Sequence, residues 1–377
     1  MSKAAELAAL IGGQTARGDK NLLINSDMQV AQHGTSKAMA HDGSTSVYVV
    51  DRFTMAFGGT HEQLDGTYAQ VADHPLSANG KSLKWTTGTA ESSYDADEYL
   101  YAAQIIEAQN LQRINNGNSN AVPITLSFYV KSSVTGTFAV GIYKEDSTAR
   151  IFNKTYAISS ANTWEKKTIT FAGDTSGGGI VNDNGRGFYI NWHLAAGSNA
   201  VGGGSNGAWK NYGGLSDWAD GQATNAIATT SSATWQLAQC QLEIGEVATA
   251  FEHDADIGTT LAKCQRYFEI LEWQGVVGNG NSYSTTQFQG CNQHWKVNKR
   301  ANPSIAFPTI GTSSNTVGIT IDSGGYATQG SVLRAFATVT QMNIYNNSGD
   351  GYSGFTDDSI VSVYSNGTTQ CKIDAEL

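Results

Sequence analysis

The sequence predicts an all-β protein: a large two-sheet sandwich, then a smaller C-terminal β-sandwich, with a short helix at the N-terminus. Three observations predict it. Glycine outnumbers proline 42 to 4 in 377 residues, and charged residues make up only 15%. That balance suits many short strands joined by tight turns. Several segments alternate apolar and polar residues with a period of two. Asn-, Gly- and Ser-rich punctuation separates those segments, and the length suffices for two cores.

Residues 2–12 read as a helix. Ser2 can cap it, Ala4, Leu7, Ala8 and Ile11 form one stripe, and Gly12-Gly13 stop it. So short a helix is marginal alone, so its stripe must bury against its own domain, a partner or a symmetry mate. Leu7, Leu10 and Ile11 are therefore the candidate attachment residues of a segment spanning 1–20. A main domain follows over 21–254. Its expected strands are Leu22–Ile24, Val47–Phe53, Ser82–Thr86, Tyr99–Ile106, Ile124–Lys131, Thr137–Tyr143, Thr155–Ile158, Glu165–Phe171, Phe188–Leu194 and Ala233–Ile244. Ile124, Leu126, Phe128 and Val130 alternate with polar neighbours and should face the core, and Ser132–Gly136 reads as a hairpin connection. Trp85, Trp164, Trp192 and Trp235 lie in or beside such strands and are expected to pack inside. Gly173–Gly187 and Ala195–Asn225 read as long loops, a length usually tied to function or disorder. The C-terminal domain, 255–377, is expected to follow a connecting helix near Asp254–Ala262 and to hold strands from Arg266, at Ser331–Val339 and at Ser359–Tyr364.

Composition excludes several classes. The net charge is −10, and no basic run exceeds Lys166-Lys167 or Lys299-Arg300, which argues against nucleic acid as the main partner. Apolar runs are too short for membrane insertion, and no secretory leader pattern is read at the N-terminus. Cys240, Cys264, Cys291 and Cys371 form no CxxC or zinc spacing and read as thiols of a protein folded in a reducing cytoplasm. Gly202-Gly203-Gly204 joins no strand to a helix, so it is a turn signal and not a nucleotide loop. No HExxH or GxSxG motif is present, and His193 reads as a strand residue and not as a base.

Two segments bracket the main domain: Asn21-Leu22-Leu23-Ile24-Asn25-Ser26-Asp27-Met28-Gln29-Val30-Ala31-Gln32 and Cys240-Gln241-Leu242-Glu243-Ile244-Gly245-Glu246-Val247-Ala248-Thr249-Ala250-Phe251-Glu252. Together they resemble the opening and closing strands of the carbohydrate-binding-like jelly roll of bacteriophage virion proteins, tail fibres above all. The strands Leu126-Ser127-Phe128-Tyr129-Val130-Lys131-Ser132 and Thr163-Trp164-Glu165-Lys166-Lys167-Thr168-Ile169, and the run Cys264-Gln265-Arg266-Tyr267-Phe268-Glu269, resemble those chains too. The resemblance implies a jelly roll, a surface that binds, and a homotrimer. It also implies that any structural calcium would lie where first and last strands meet, on Asn25, Asp27 and Glu243. No cofactor is otherwise required.

Trp209, Tyr212 and Trp218 share the second long loop with Asn211 and Asp217. Flat aromatic faces beside amide and carboxylate groups suit sugars, so these five are the candidate glycan-binding residues. Asp95, Asp97 and Glu98 form the best acid cluster, open to glycoside hydrolysis, calcium or sugar hydroxyls, or to a plain solvated rim. The favoured reading is a non-enzymatic phage tail fibre or receptor-binding protein. It would fold in the host cytoplasm, join other virion proteins through its N-terminus and bind host surface glycan. The alternatives are a purely structural capsid fibre or decoration protein, and a polysaccharide depolymerase.

Overall fold

The computed structural model describes residues 20–40, 46–321 and 325–377. The expected helix over 2–12, with Leu7, Leu10 and Ile11, lies outside the described residues. The chain divides into two compact units, Met1–Thr260 and Leu261–Glu376, and the division falls within a helix over Ile257–Gln265. Asp256 caps that helix by accepting the Thr259 N–H at 2.9 Å.

The first unit holds strands β1 (Ser36–Ala40), β2 (Ser46–Tyr48), β3 (Phe53–Gly58), β4 (Asp65–Val71), β5 (Ser82–Thr87), β6 (Tyr99–Glu107), β7 (Ile124–Ser132), β8 (Gly136–Lys144), β9 (Arg150–Ile158), β10 (Glu165–Phe171), β11 (Arg186–Ala196), β12 (Lys210–Asn211) and β13 (Thr234–Ile244). They form two antiparallel sheets, one in the order β1-β4-β5-β13-β7-β10 and one in the order β12-β9-β8-β11-β6-β3-β2. This is the two-sheet jelly roll. The inner faces meet in one core that includes Trp85, Phe128, Phe138, Tyr156, Trp192 and Trp235. Phe128 meets Tyr156 and Trp192 edge to face, with ring centroids 5.2 and 6.0 Å apart.

Most expected strands appear, but three details differ. Leu22–Ile24 is not a strand. Even so, the Leu22 N–H donates to Leu242 O at 2.8 Å, and the Asn21 side chain bonds the backbone of both Cys240 and Leu242. The opening and closing segments therefore do lie together. Val47–Phe53 is not one strand but two, because Arg52 adopts φ 71° and turns the chain between β2 and β3. Trp164 is not core: it is half-buried, and its indole N–H donates to Asp73 at 3.2 Å. All four cysteines are buried, and none forms a disulfide.

The second unit holds β14 (Phe268–Ser284), β15 (Gln287–His294), β16 (Ser304–Ala306), β17 (Thr316–Ile321), β18 (Arg334–Ala337), β19 (Gln341–Tyr345) and β20 (Ile360–Asp374). Here one hydrogen-bonded sheet runs β16-β20-β14-β15-β19-β18, with β17 also paired to β20. Bulges at Trp273/Gly275 and Val276/Gly278 bend the long β14–β20 ladder. The outer strands β16 and β18 come back into contact, so the sheet folds over its own core of Phe288, Val317, Ile344, Val361 and Ile373.

Inside this unit Lys299 and Glu269 form a fully buried ion pair at 2.6 Å. Lys299 also donates to the Gln265 carbonyl. Removing one partner of such a pair strands the other charge, at a cost of about 3–5 kcal/mol. Lys299→Met should therefore destabilise the second unit by about that much in denaturant unfolding. Lys299→Met combined with Glu269→Leu should recover much of the loss.

Candidate functional site

Period two gives the seven-stranded sheet a second face. Leu100, Ala102 and Ile106 of β6, Phe138, Val140 and Ile142 of β8, and Phe188, Ile190 and Trp192 of β11 point into the core. Tyr99, Tyr101 and Ala103, then Gly141 and Tyr143, then Tyr189, Asn191 and His193 therefore face away from it. Pairing register sets them side by side. Asn191 lies between Gly141 and Ala103, Tyr189 beside Tyr143, and His193 beside Tyr101. Gly141 in turn pairs with Asn153 of β9.

The segment 197–225 folds over this face. Its start is held by the Gly197 N–H on Glu98 O at 2.7 Å and by the Asn199 N–H on Ala96 O at 2.8 Å. Its middle is held by Asn153, whose amide donates to Ser205 Oγ at 2.8 Å and to Asp217 O at 2.6 Å. Trp218 then sits among five rings: Tyr101 at 5.6 Å, Tyr143 at 5.8 Å, His193 at 6.0 Å, Tyr99 at 6.2 Å and Tyr212 at 6.3 Å. The four tyrosines and Trp218 are half-buried, so each keeps part of its surface in solvent.

Beneath the rings, polar groups lack protein partners. Both amide atoms of Asn191 and the Trp218 indole nitrogen are buried without a hydrogen bond, and neither His193 ring nitrogen has a partner in good geometry, with only the Trp218 backbone beside it. Each such group costs about 1–3 kcal/mol when left unmet. A cluster of them marks a place for a ligand or ordered water. Burial pushes His193 down to about 3, against a weaker pull from the Trp218 backbone, so its ring is neutral at ordinary pH. A neutral imidazole has one donor and one acceptor, and Asn191 has both. Burial pushes the Tyr101 hydroxyl up to about 12, so it stays protonated. The face thus offers neutral donors, neutral acceptors and ring edges.

The residues singled out in the sequence separate here. Tyr212 and Trp218 belong to the face. Trp209 does not: its ring packs on Phe152 and Phe188 with centroids 5.6 and 6.0 Å away, and its indole N–H donates to Ala172 O at 2.6 Å. It holds the loop to the core and is no exposed platform. Asp217 is buried, takes the Gly213 N–H at 2.7 Å and pairs with Lys210 at 2.8 Å, so it orders the loop. Asn211 is exposed and accepts from Arg150 at 2.8 Å. Tyr99, Tyr101, Tyr143, Tyr189 and Asn191 join the face although no sequence motif marks them. The signal was there, since each alternates with a core residue on its strand.

The expected calcium ligands have separate partners. Asn25 spends its amide on the backbone of Val30 and Asp51. Glu243 accepts from Thr249 and Gln241. Asp27 faces His74 at 3.1 Å and His253 at 3.4 Å. Among the acid cluster, Asp95 and Asp97 are exposed, whereas Glu98 is buried and turned toward His61. In the second unit Phe336 stacks on Tyr345 with centroids 4.4 Å apart and remains largely exposed.

No family model and no curated protein matches the chain. Solved structures with some likeness include the enzymatically active domain of tailspike protein 4 from bacteriophage CBA120. That match has 12% identity and a TM-score of 0.31, covering 60% of this chain and 21% of that one. The family 11 carbohydrate-binding module of the Clostridium thermocellum cellulase Lic26A-Cel5E matches at 11% identity and a TM-score of 0.28, covering 60% and 96%. The CBM22-1 xylan-binding domain of Paenibacillus barcinonensis Xyn10C matches at 11% and 0.27, covering 60% and 96%. The chain spans about a fifth of the length of the tailspike domain. Likeness this distant does not carry function.

The buried His193 predicts a pH signature. Its folded value near 3 lies below the ordinary 6.5. Between the two, the unfolded chain holds a proton that the folded chain does not. This contribution to stability is complete above about pH 6.5 and is lost as pH falls, by up to about 1.4 kcal/mol per pH unit. Glu98 acts oppositely, because its carboxyl is raised from 4.5 to about 7 by burial and then by Glu91, Asp95 and Asp97. Its contribution is lost as pH rises through about 7. Comparing His193→Gln with the parent cancels the Glu98 effect. The parent should lose more stability than the variant on acidification from pH 6.5 to 4, measured by urea midpoints. Equal slopes would contradict a neutral buried ring.

Proposed function

We propose that this protein is a non-catalytic glycan-binding protein whose site is the outer face of the seven-stranded sheet. The observation that carries the reading is the unmet hydrogen-bonding capacity of Asn191 and His193 beneath half-exposed rings of Tyr99, Tyr101, Tyr143, Tyr212 and Trp218. Sugars combine apolar C–H faces with many hydroxyls. They need aromatic surface together with neutral donors and acceptors, and little net charge. The bracketing segments of the sequence support the finer reading, a phage tail fibre or receptor-binding protein that recognises host surface glycan. In a homotrimeric fibre, several modest sites would raise avidity without any single tight one. Catalysis is not part of the proposal, since two of the three candidate acids are exposed on a loop and the third faces a buried histidine.

Binding of the intact protein to host lipopolysaccharide and capsular polysaccharide tests the reading, with polymer length followed in the same samples. Tyr101→Ala and Trp218→Ala should each weaken binding by about 2 kcal/mol, roughly thirtyfold, with polymer length unchanged. Phe336→Ala should leave affinity unchanged. Loss of binding in that variant alone would move the platform to the second unit. Shortened polymer would replace the proposal with a depolymerase. No binding at multivalent density would leave a structural virion protein.

A further inference from the structure

One end of the first unit gathers three ligand-type side chains that the sugar-binding reading does not use. His61 lies in the loop from β3 to β4, Glu91 in the loop from β5 to β6, and Glu98 at the entry to β6. Both loops cross from one sheet to the other. All three residues are buried, and one donor atom from each lies within 4.8 Å of the others. His61 Nδ1 stands 3.6 Å from Glu91 Oε1 and 3.6 Å from Glu98 Oε1. These gaps are too long for hydrogen bonds. Donors around a tetrahedral ion at about 2.0–2.1 Å stand roughly 3.4 Å apart, and the two His61 gaps are near that spacing.

The remaining bonds orient the donors. Glu91 Oε1 accepts the N–H groups of Glu62, Gln63 and Leu64 at 3.0–3.2 Å, which ties the β3–β4 loop to the β5–β6 loop and leaves Oε2 as the oxygen open to an ion. Glu98 Oε2 accepts the Asp95 N–H at 2.9 Å. That leaves Glu91 Oε2 and Glu98 Oε1 buried without a partner, and neither His61 nitrogen in good hydrogen-bond geometry, although the backbone of Gly58 and Tyr99 lies beside its ring; the Tyr94 hydroxyl is unmatched nearby. Among the described residues, no lysine or arginine pairs with either carboxylate. Two buried carboxylates without a cation repel each other and forfeit hydration. Gly59, at φ 81°, makes the approach possible: an added Cβ would lie 2.4 Å from Asp97 O and 2.7 Å from Glu98 Cα.

We propose that His61, Glu91 and Glu98 bind a divalent transition-metal ion, zinc(II) in preference to calcium, which staples the two crossover loops. One dication balances two carboxylates, and the imidazole nitrogen favours zinc over hard cations that take oxygen alone. Three protein donors leave the fourth position to water, and the role proposed for the ion is to hold the loops together. Glu98 holds the covering segment through its backbone carbonyl on Gly197, so the ion would steady the start of the segment that carries Trp218.

The test uses the full chain stripped of metal by chelator. Zinc chloride is titrated by calorimetry, with bound metal counted after desalting, and cobalt(II) serves as an absorbance reporter. The expected result is one zinc per chain, a raised unfolding temperature, and cobalt bands in the visible typical of a low coordination number. His61→Ala and Glu98→Gln should each lower zinc affinity at least tenfold and remove the thermal shift. Glu98→Gln is nearly isosteric, so it reads the site even if His61→Ala folds poorly. Failure of the folded chain to retain stoichiometric zinc would overturn the proposal, as would retention unchanged in a folded Glu98→Gln variant. Equal binding of calcium would overturn the preference. No glycan enters the assay, so failure of the sugar-binding reading and failure of this one are distinguishable.

Discussion

The amide of Asn153 is the contact on which the outer face depends. It lies fully buried on β9 and donates to Ser205 Oγ and to Asp217 O, two points of the covering segment separated by 11 intervening residues. Gly141 beside it supplies the room. A Cβ at that position would stand 2.0 Å from Asn153 Oδ1. One glycine and one asparagine in register therefore allow a long polar segment to settle on a sheet, where most loops would stay in solvent. Asp217 completes the arrangement by taking the Gly213 N–H and the Lys210 ammonium. Tyr212 and Trp218 reach the sheet tyrosines because of these bonds.

The same arrangement explains why the centre of the face is polar without being charged. A buried carboxylate or ammonium needs a partner or a shifted pKa. The covering segment keeps its charges in internal contacts, and the sheet beneath offers amide, imidazole and phenol, with the exposed Arg186–Glu145 pair beside Tyr189 at its margin. Burial holds the imidazole neutral. Recognition there has to rest on geometry and ring contact, which fits weak, repeated binding better than one tight site.

Legibility in the sequence followed the strength of local pattern. β7, β8 and β10 were readable because Ile124 to Val130, Phe138 to Ile142 and Ile169 to Phe171 alternate without interruption, and the sandwich follows from them. β4 escaped because Asp65-Gly66-Thr67-Tyr68-Ala69-Gln70-Val71 shows little apolar alternation, although Tyr68 is buried. The aromatic loop was visible as composition, but the direction of each ring was not. Trp209 and Trp218 are nine residues apart in one loop, yet one seals the core and the other roofs the sheet face. Direction is set by Ala172 O and by Tyr99, Tyr101 and Tyr143 of the sheet, none of which belongs to the loop. His61 and Glu91 lie thirty residues apart in no motif, and only the pairing of β3 with β6 and of β4 with β5 brings their loops together.

Glu98 links the His61 cluster to the aromatic face. Its carboxylate faces His61, while its carbonyl holds Gly197. A group that shifts the carboxylate also acts on the backbone that starts the covering segment, since both belong to one residue at the entry to β6. The next residue is Tyr99, whose ring meets Tyr101 at 5.9 Å and Trp218 at 6.2 Å. The route from cluster to face is thus one residue and one hydrogen bond long. An ion at the cluster can bias the face only by binding the anchored arrangement better than the released one. The reciprocal holds as well: whatever fills the face and favours the anchored segment must tighten the ion by the same factor.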